Sequence, residues 1–142
     1  MLTPTVYIPI EESNRELHSK ILIINELLNS GVATILGRQP MVVGNLPHMP
    51  RGVVLFKGMN AMPARLMIRA SEIGHLCVAT DEEGLGLSEP KTMSRNMDPG
   101  IGSVCQRFFA QGPRHAEAME TFIPGTSKEL TSGMSPCLEI LP

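Results

Sequence analysis

The sequence predicts an α/β fold, a Rossmann-like parallel sheet with helices on both faces, on three observations. Short apolar runs begin near residues 6, 32, 53, 76 and 107, with amphipathic helical patterns between them. The runs are apolar throughout rather than alternating, as strands are when helices cover both sides of a parallel sheet. The chain has 142 residues, 42% of them hydrophobic, enough for the core of a single domain over residues 1–142.

Each element carries its own signal. Val6–Ile10 reads as the first strand and runs into Glu11-Glu12-Ser13-Asn14. Ser13 and Glu16 form an S-x-x-E capping box, which starts a helix. Leu17, Ile21, Ile24 and Leu28 recur at helical spacing as its expected inner face, and Gly31 suits its end. Val32–Leu36 is the second strand. The Pro- and Gly-dotted stretch from Pro40 to Pro50 reads as loop with a short helical turn. Gly52–Phe56 is the third strand, ending at Lys57-Gly58. Pro63 fits the first turn of a helix, with Met62, Leu66, Ala70 and Ile73 inward and Gly74 at its end. Leu76–Thr80 is the fourth strand and leads into Asp81-Glu82-Glu83-Gly84. About twenty residues after it, roughly 85–104, show no periodicity, so they form a functional loop or hide a helix. Arg107–Ala110 is a short fifth strand, and Pro113 opens a helix with Ala116, Met119 and Ile123 inward.

Composition excludes several classes. The net charge is −2 and the 12 basic residues form no dense run, so no nucleic-acid partner is expected. With four Phe, one Tyr and no Trp, there is little material for stacking platforms. The longest aliphatic run, Ile21 to Ile24, is far too short for a transmembrane segment. No basic residue precedes Arg15, so no signal peptide is expected. Cys77, Cys105 and Cys137 are odd in number, far apart and without a CxxC, which fits reduced thiols in a cytoplasmic protein.

Ligands of open parallel sheets bind beyond the carboxyl ends of the strands, so the residues there are the ones to weigh. They are Glu11, Glu12, Ser13 and Asn14, then Arg38 and Gln39, then Lys57 and Asn60, then Asp81, Glu82 and Glu83, then Gln111, Arg114 and His115. A chain with few charges places many of them on one rim, and Glu11, Lys57, Glu82 and Arg114 are expected to face one crevice. Three adjacent carboxylates at Asp81, Glu82 and Glu83 repel one another, which raises a pKa toward that of a base at neutral pH. Gly112-Pro113-Arg114-His115 opens a helix whose free N–H groups favour an anion. The plain alternatives stand beside these readings: a solvated turn at 81–84, a helix cap at 112–115, and a capping role for Glu11 and Glu12.

Other chemistries find no motif. No GxGxxG follows the first strand, and there is no GxxxxGK[ST] or GxSxG. The four histidines are scattered and no Cys/His spacing suggests zinc, so neither a metal nor a cofactor is expected. A phosphoacceptor receiver domain needs an Asp where the third strand ends, and Lys57 stands there.

The landmarks in order are Arg15-Glu16-Leu17 with Lys20-Ile21-Leu22, Gly31-Val32 with Ile35-Leu36-Gly37, and Pro50-Arg51-Gly52-Val53 with Lys57-Gly58. Gly74-His75, Ala79-Thr80-Asp81-Glu82-Glu83-Gly84 and Arg107-Phe108-Phe109-Ala110-Gln111-Gly112-Pro113-Arg114-His115-Ala116-Glu117 follow. The series resembles the amino-terminal half of the bacterial surface carbohydrate biosynthesis proteins, glycosyltransferase-like proteins of GT-B type related to capsule and O-antigen enzymes. The resemblance covers nearly the whole chain, and the 81–84 and 108–117 segments are its specific parts. The tail departs from the family pattern T-G-N-P-R-x-D: Gly133, Pro136 and an acid at Glu139 remain, Met134 and Cys137 replace Asn and Arg, and Ser135 is inserted.

The resemblance implies an acceptor-side domain lacking its partner domain, which would hold the nucleotide sugar. A rim carboxylate, Glu82 or Glu83, would act as base on a sugar or glycan acceptor. Glu11, Ser13, Lys57, Asp81, Arg114 and His115 would bind substrate. No nucleotide-sugar turnover by the chain alone and self-association through Leu138, Ile140 and Leu141 are expected. The alternatives from other classes are a non-catalytic α/β module binding an anionic metabolite or sugar phosphate, and an interaction domain.

Overall fold

The computed structural model describes residues 4–81, 97–110, 112–122, 124 and 131–132. Their elements, in chain order, are strand β1 (Thr5–Ile10), helix α1 (Ser13–Asn29), strand β2 (Ala33–Arg38), helix α2 (Gln39–Asn45), strand β3 (Val53–Lys57) and helix α3 (Ala61–Glu72). Strand β4 (Leu76–Thr80), strand β5 (Cys105–Ala110), helix α4 (Pro113–Phe122) and the short strand β6 (Thr131–Ser132) complete them. Single turns of 3₁₀ helix lie at Leu46–His48 and Pro99–Ser103. Every pairing is parallel and the strand order is β2-β1-β3-β4-β5-β6. The predicted α/β parallel sheet is therefore the observed one.

The order fixes where the helices go. The step from β1 to β2 runs one way along the sheet, and every later step runs the other way. Right-handed crossovers then lay α1 on one face and α2, α3 and α4 on the other. The packing agrees: Tyr7, Val54, Phe56, Cys77, Ala79 and Phe108 meet Val42 of α2, Met67 of α3 and Met119 of α4 in one buried cluster. Among the described residues α1 alone covers the second face, over Val6, Val53 and Leu55.

Several sequence expectations shift by a residue or a face. Residues 39–45 form a helix where the Pro40–Pro50 stretch reads as mainly loop: Pro40 falls in its first turn, where no N–H is needed, and buried Val42 anchors it. In α1 the buried residues are Glu16, Ser19 and Lys20, while Ile21 and Leu28 of the expected inner face are 48% and 56% exposed. In α3 Pro63, Ala64, Met67 and Ala70 are buried, and Met62 and Ile73 point outward. Gly31 and Gly74 end α1 and α3 as expected, with positive φ of 76° and 92° that a side chain would strain. Residues 82–96, Gln111, Ile123 and 133–142 lie outside the described residues. Glu82, Glu83, Leu138, Ile140 and Leu141 are among them.

The amino-terminal edge of the sheet is a structural lock. His75 is buried; its Nδ1 accepts the Gly52 N–H at 3.3 Å and its Nε2 donates to the Leu46 carbonyl at 3.1 Å. That pair of bonds fits the neutral ring. Tyr7 packs edge-on against His75 and donates its hydroxyl to the Pro50 carbonyl at 2.6 Å. Burial pushes the Tyr7 pKa up, so the hydroxyl stays a donor. Cys77 and Cys105 are register partners on β4 and β5, and both are buried free thiols. Burial is the main cause that pushes their pKa values up, to about 12 and about 11.

Candidate functional site

β1 lies between β2 and β3, and the chain leaves it toward opposite edges of the sheet. In such sheets the crevice beyond the carboxyl ends of the two diverging strands is the natural binding place. Here those strands are β1, followed by Glu11, and β3, which ends at Lys57.

Lys57 is the centre of the crevice. Its Nζ lies 3.2 Å from Oε1 of Glu16 and 3.5 Å from Oε2 of Glu11. The Lys57 and Glu16 side chains are 7% and 1% exposed, whereas Glu11 is 42% exposed and open to a ligand. Glu16 also accepts the Glu12 N–H at 3.0 Å and the Glu11 N–H at 3.3 Å. The capping box thus forms in part, one residue early. Glu12 is the N-cap and makes no side-chain cap bond, Glu16 reaches back to its amide, and Ser13 becomes the exposed first residue of the helix.

The electrostatics follow from this geometry. Burial alone would raise the Glu16 pKa, but the Glu12 amide, the Lys57 ammonium and the Glu11 amide together hold it below its ordinary 4.5. Burial alone would lower Lys57, but the bond to Glu16 and the charges of Glu16 and Glu11, opposed by Arg15, hold it above its ordinary 10.5. The pair is therefore ionised at neutral pH. Two carboxylates converge on one ammonium, a set suited to the hydroxyls of a sugar more than to a bare anion.

A second pair stands at the same edge on the other face. Asp81 follows β4, and its Oδ2 lies 3.5 Å from Nε2 of His115 in the first turn of α4. His115 is buried and packs edge-on against Phe108, ring centroids 5.2 Å apart. Burial lowers its pKa against the opposing pull of Asp81, so the ring is neutral at pH 7. The neutral ring offers a hydrogen bond or a proton-accepting nitrogen rather than a standing charge. A proton-detected titration of His115 is expected to give a midpoint below 6.5, and Asp81→Asn to move it lower still.

The structure thus unites Glu11 with Lys57 and Asp81 with His115. Ser13 lies exposed at the start of α1, and Arg114 lies exposed in the first turn of α4 at the same edge. Glu82 and Glu83 come next in the chain after Asp81, outside the described residues. Sequence reasoning missed Glu16 as the partner of Lys57, and the signal was present in the S-x-x-E motif that was read only as a cap. It also missed Thr80, the register partner of Lys57 on β4. Thr80 is 8% exposed and its hydroxyl has no hydrogen-bond partner among the described residues.

Among the described residues no group of three or more His, Cys, Asp or Glu is arranged to hold a metal ion, and no helix is long and apolar enough to cross a membrane. Comparison with protein-family models, with curated proteins and with solved structures finds no match for the chain.

Proposed function

We propose that this chain is an acceptor-binding domain of a GT-B glycosyltransferase-like protein of surface polysaccharide biosynthesis. The observation that carries the reading is the Glu11–Lys57–Glu16 cluster in the crevice between β1 and β3. Glu11 and Lys57 are the acceptor and donor groups for sugar hydroxyls, and buried Glu16 fixes Lys57 so that little freedom is lost on binding. The resemblance adds the base: Glu82 or Glu83, next to Asp81, would take the proton of the attacking hydroxyl. In this reading the nucleotide sugar is held by a second domain, and Asp81, His115 and Arg114 complete the acceptor side.

Glu11→Gln tests it, because Glu11 is the half-exposed member and its loss costs the fold little. Isothermal titration of the chain with a panel of methyl glycosides, sugar phosphates and nucleotides should show a neutral glycoside bound, and Glu11→Gln should weaken it about tenfold. Binding of sugar phosphates or nucleotides alone, unaffected by Glu11→Gln, would replace this reading with the anion-binding module.

A further inference from the structure

The sheet begins at β2, and among the described residues nothing pairs with its outer side. The Ala33 N–H turns inward to the Pro4 carbonyl at 2.9 Å, so the N–H and C=O groups of Thr34 and Leu36, which alternate with it, point out of the sheet. Proteins usually blunt such an edge with a proline, a lysine or a bulge. β2 reads Ala-Thr-Ile-Leu-Gly-Arg and has none of these; it pairs regularly with β1 along its whole length, and its one charge stands at its end. Ile35, at its middle, is 38% exposed. Above the edge runs the apolar stripe of α1 that the fold turned outward: Ile21 and Leu28 are exposed, Leu17 and Ile24 half-buried. Ile23 leans the other way, over β3 and β4, where it lines a groove with Val53 and Val78. A turn of about 100° per residue carries the stripe to the opposite flank of the helix, the one above β2.

We propose that a second copy of this chain docks on this edge, β2 against β2 and α1 against α1, both antiparallel about a twofold axis normal to the sheet. The surface is separate from the Glu11–Lys57 crevice and stands whether or not the crevice binds a sugar. The stripe reads the same in both directions, because Leu17 and Leu28 are equally far from the midpoint of Ile21 and Ile24. Turned end for end it faces itself, with Ile21 against the second copy's Ile24, which is the self-complementarity a twofold contact needs. The spacing also fits. α1 packs on β1 and β2, so adding one strand pair sets the two α1 helices two strand spacings apart, about 9–10 Å, the distance of packed helices. Charge agrees: Glu16 and Lys20 are buried, Arg15 and Glu26 lie round the helix on the solvent side, and no charge falls on the seam. In the strands, an axis at Ile35 sets Thr34 opposite the second copy's Leu36, where the outward N–H and C=O groups exchange hydrogen bonds, and sets Ile35 against itself in the close, non-bonded position. The centre of the stripe and Ile35 each lie within about 10 Å of the turn that joins α1 to β2, so one axis serves both.

The test is sedimentation equilibrium of the full chain over a range of concentrations, with hydrogen exchange on the same samples. The wild type should pass from monomer to dimer and go no further, since a twofold contact closes on itself. Ile21→Lys should weaken the dimer at least about a hundredfold, because the symmetry places each substitution in the contact twice. Ile21 is half-exposed in the single chain, so the dilute monomer of this variant should keep the wild-type circular dichroism and melting temperature. Leu138→Lys with Leu141→Lys should leave the dimer as it is. In the dimer the Thr34 and Leu36 amides should exchange more slowly than in the monomer, while Ala33, bonded within its own sheet, changes little. A wild type that stays monomeric at high concentration overturns the proposal. So does a dimer that survives Ile21→Lys, one that the Leu138 and Leu141 substitutions abolish, or one that leaves Thr34 and Leu36 exchange unchanged.

Discussion

Glu16→Ala is expected to cost about 3–5 kcal/mol, the range for removing one partner of a buried ion pair. The loss is threefold. The Lys57 ammonium, 7% exposed, loses its 3.2 Å partner, and the Glu11 and Glu12 amides lose their acceptor. Against a total stability of about 5–15 kcal/mol this is a large share. A urea titration should place the midpoint about 2 M lower. Glu16→Leu combined with Lys57→Met should recover much of the loss, since two apolar side chains leave no buried charge. The pair also sets the pH window of the wild type. Glu16, held below 4.5, stabilises the fold fully above that value, and the contribution fades as pH falls through its folded pKa. Lys57, held above 10.5, stabilises the fold fully below that value, and the contribution fades as pH rises through its folded pKa. Glu16→Ala should therefore cost most between these limits and less at about pH 3.

Gly52→Ala should cost about 3 kcal/mol, at the upper end of overpacking, and lower the melting temperature by about 10 °C. The cause is space. A Cβ at Gly52 would press into the Thr5 carbonyl of β1 and come within 3.0 Å of the Tyr7 ring. Neither neighbour can move freely: Tyr7 is fully buried and bonded through its hydroxyl, and the Gly52 carbonyl accepts the Leu76 N–H at 3.0 Å. Gly44→Ala in α2 is the contrast, with nothing within 4 Å of the new methyl. It should raise stability by about 0.5–1 kcal/mol through helix propensity. Thermal melts of the two variants check both signs.

The sheet was legible because buried parallel strands are written as continuous apolar runs, and all five long strands were found within a few residues. The helix faces were less so. α1 has two stripes, Leu17-Ile21-Ile24-Leu28 and Glu16-Lys20-Ile23-Leu27, and hydrophobicity alone favours the first. The fold turns the second toward the sheet, with Glu16 and Lys20 buried and Ile23 and Leu27 half-buried, because Glu16 satisfies two amides and an ammonium that no apolar side chain could. For α3 the same one-residue rotation puts Met67 inward in place of Leu66. The rim was legible from topology: strand ends that point one way brought Glu11 to Lys57 and Asp81 to His115. The groove of about 460 Å³ between α1 and the sheet was not, since it joins Val6, Val78, Arg107 and Phe109 from three strands, and no local pattern joins them.

The paired cysteines of β4 and β5 have a consequence for how the molecule's opening can be timed. Only a thiolate attacks an alkylating reagent, and burial keeps both thiols protonated far above neutral pH. Cys77 is fully buried and donates its thiol to the Met67 carbonyl of α3, and Cys105 is only 5% exposed. Chemical capture of Cys77 or Cys105 therefore proceeds only as often as the core exposes them, so the native chain carries its own stopwatch for excursions out of the folded state.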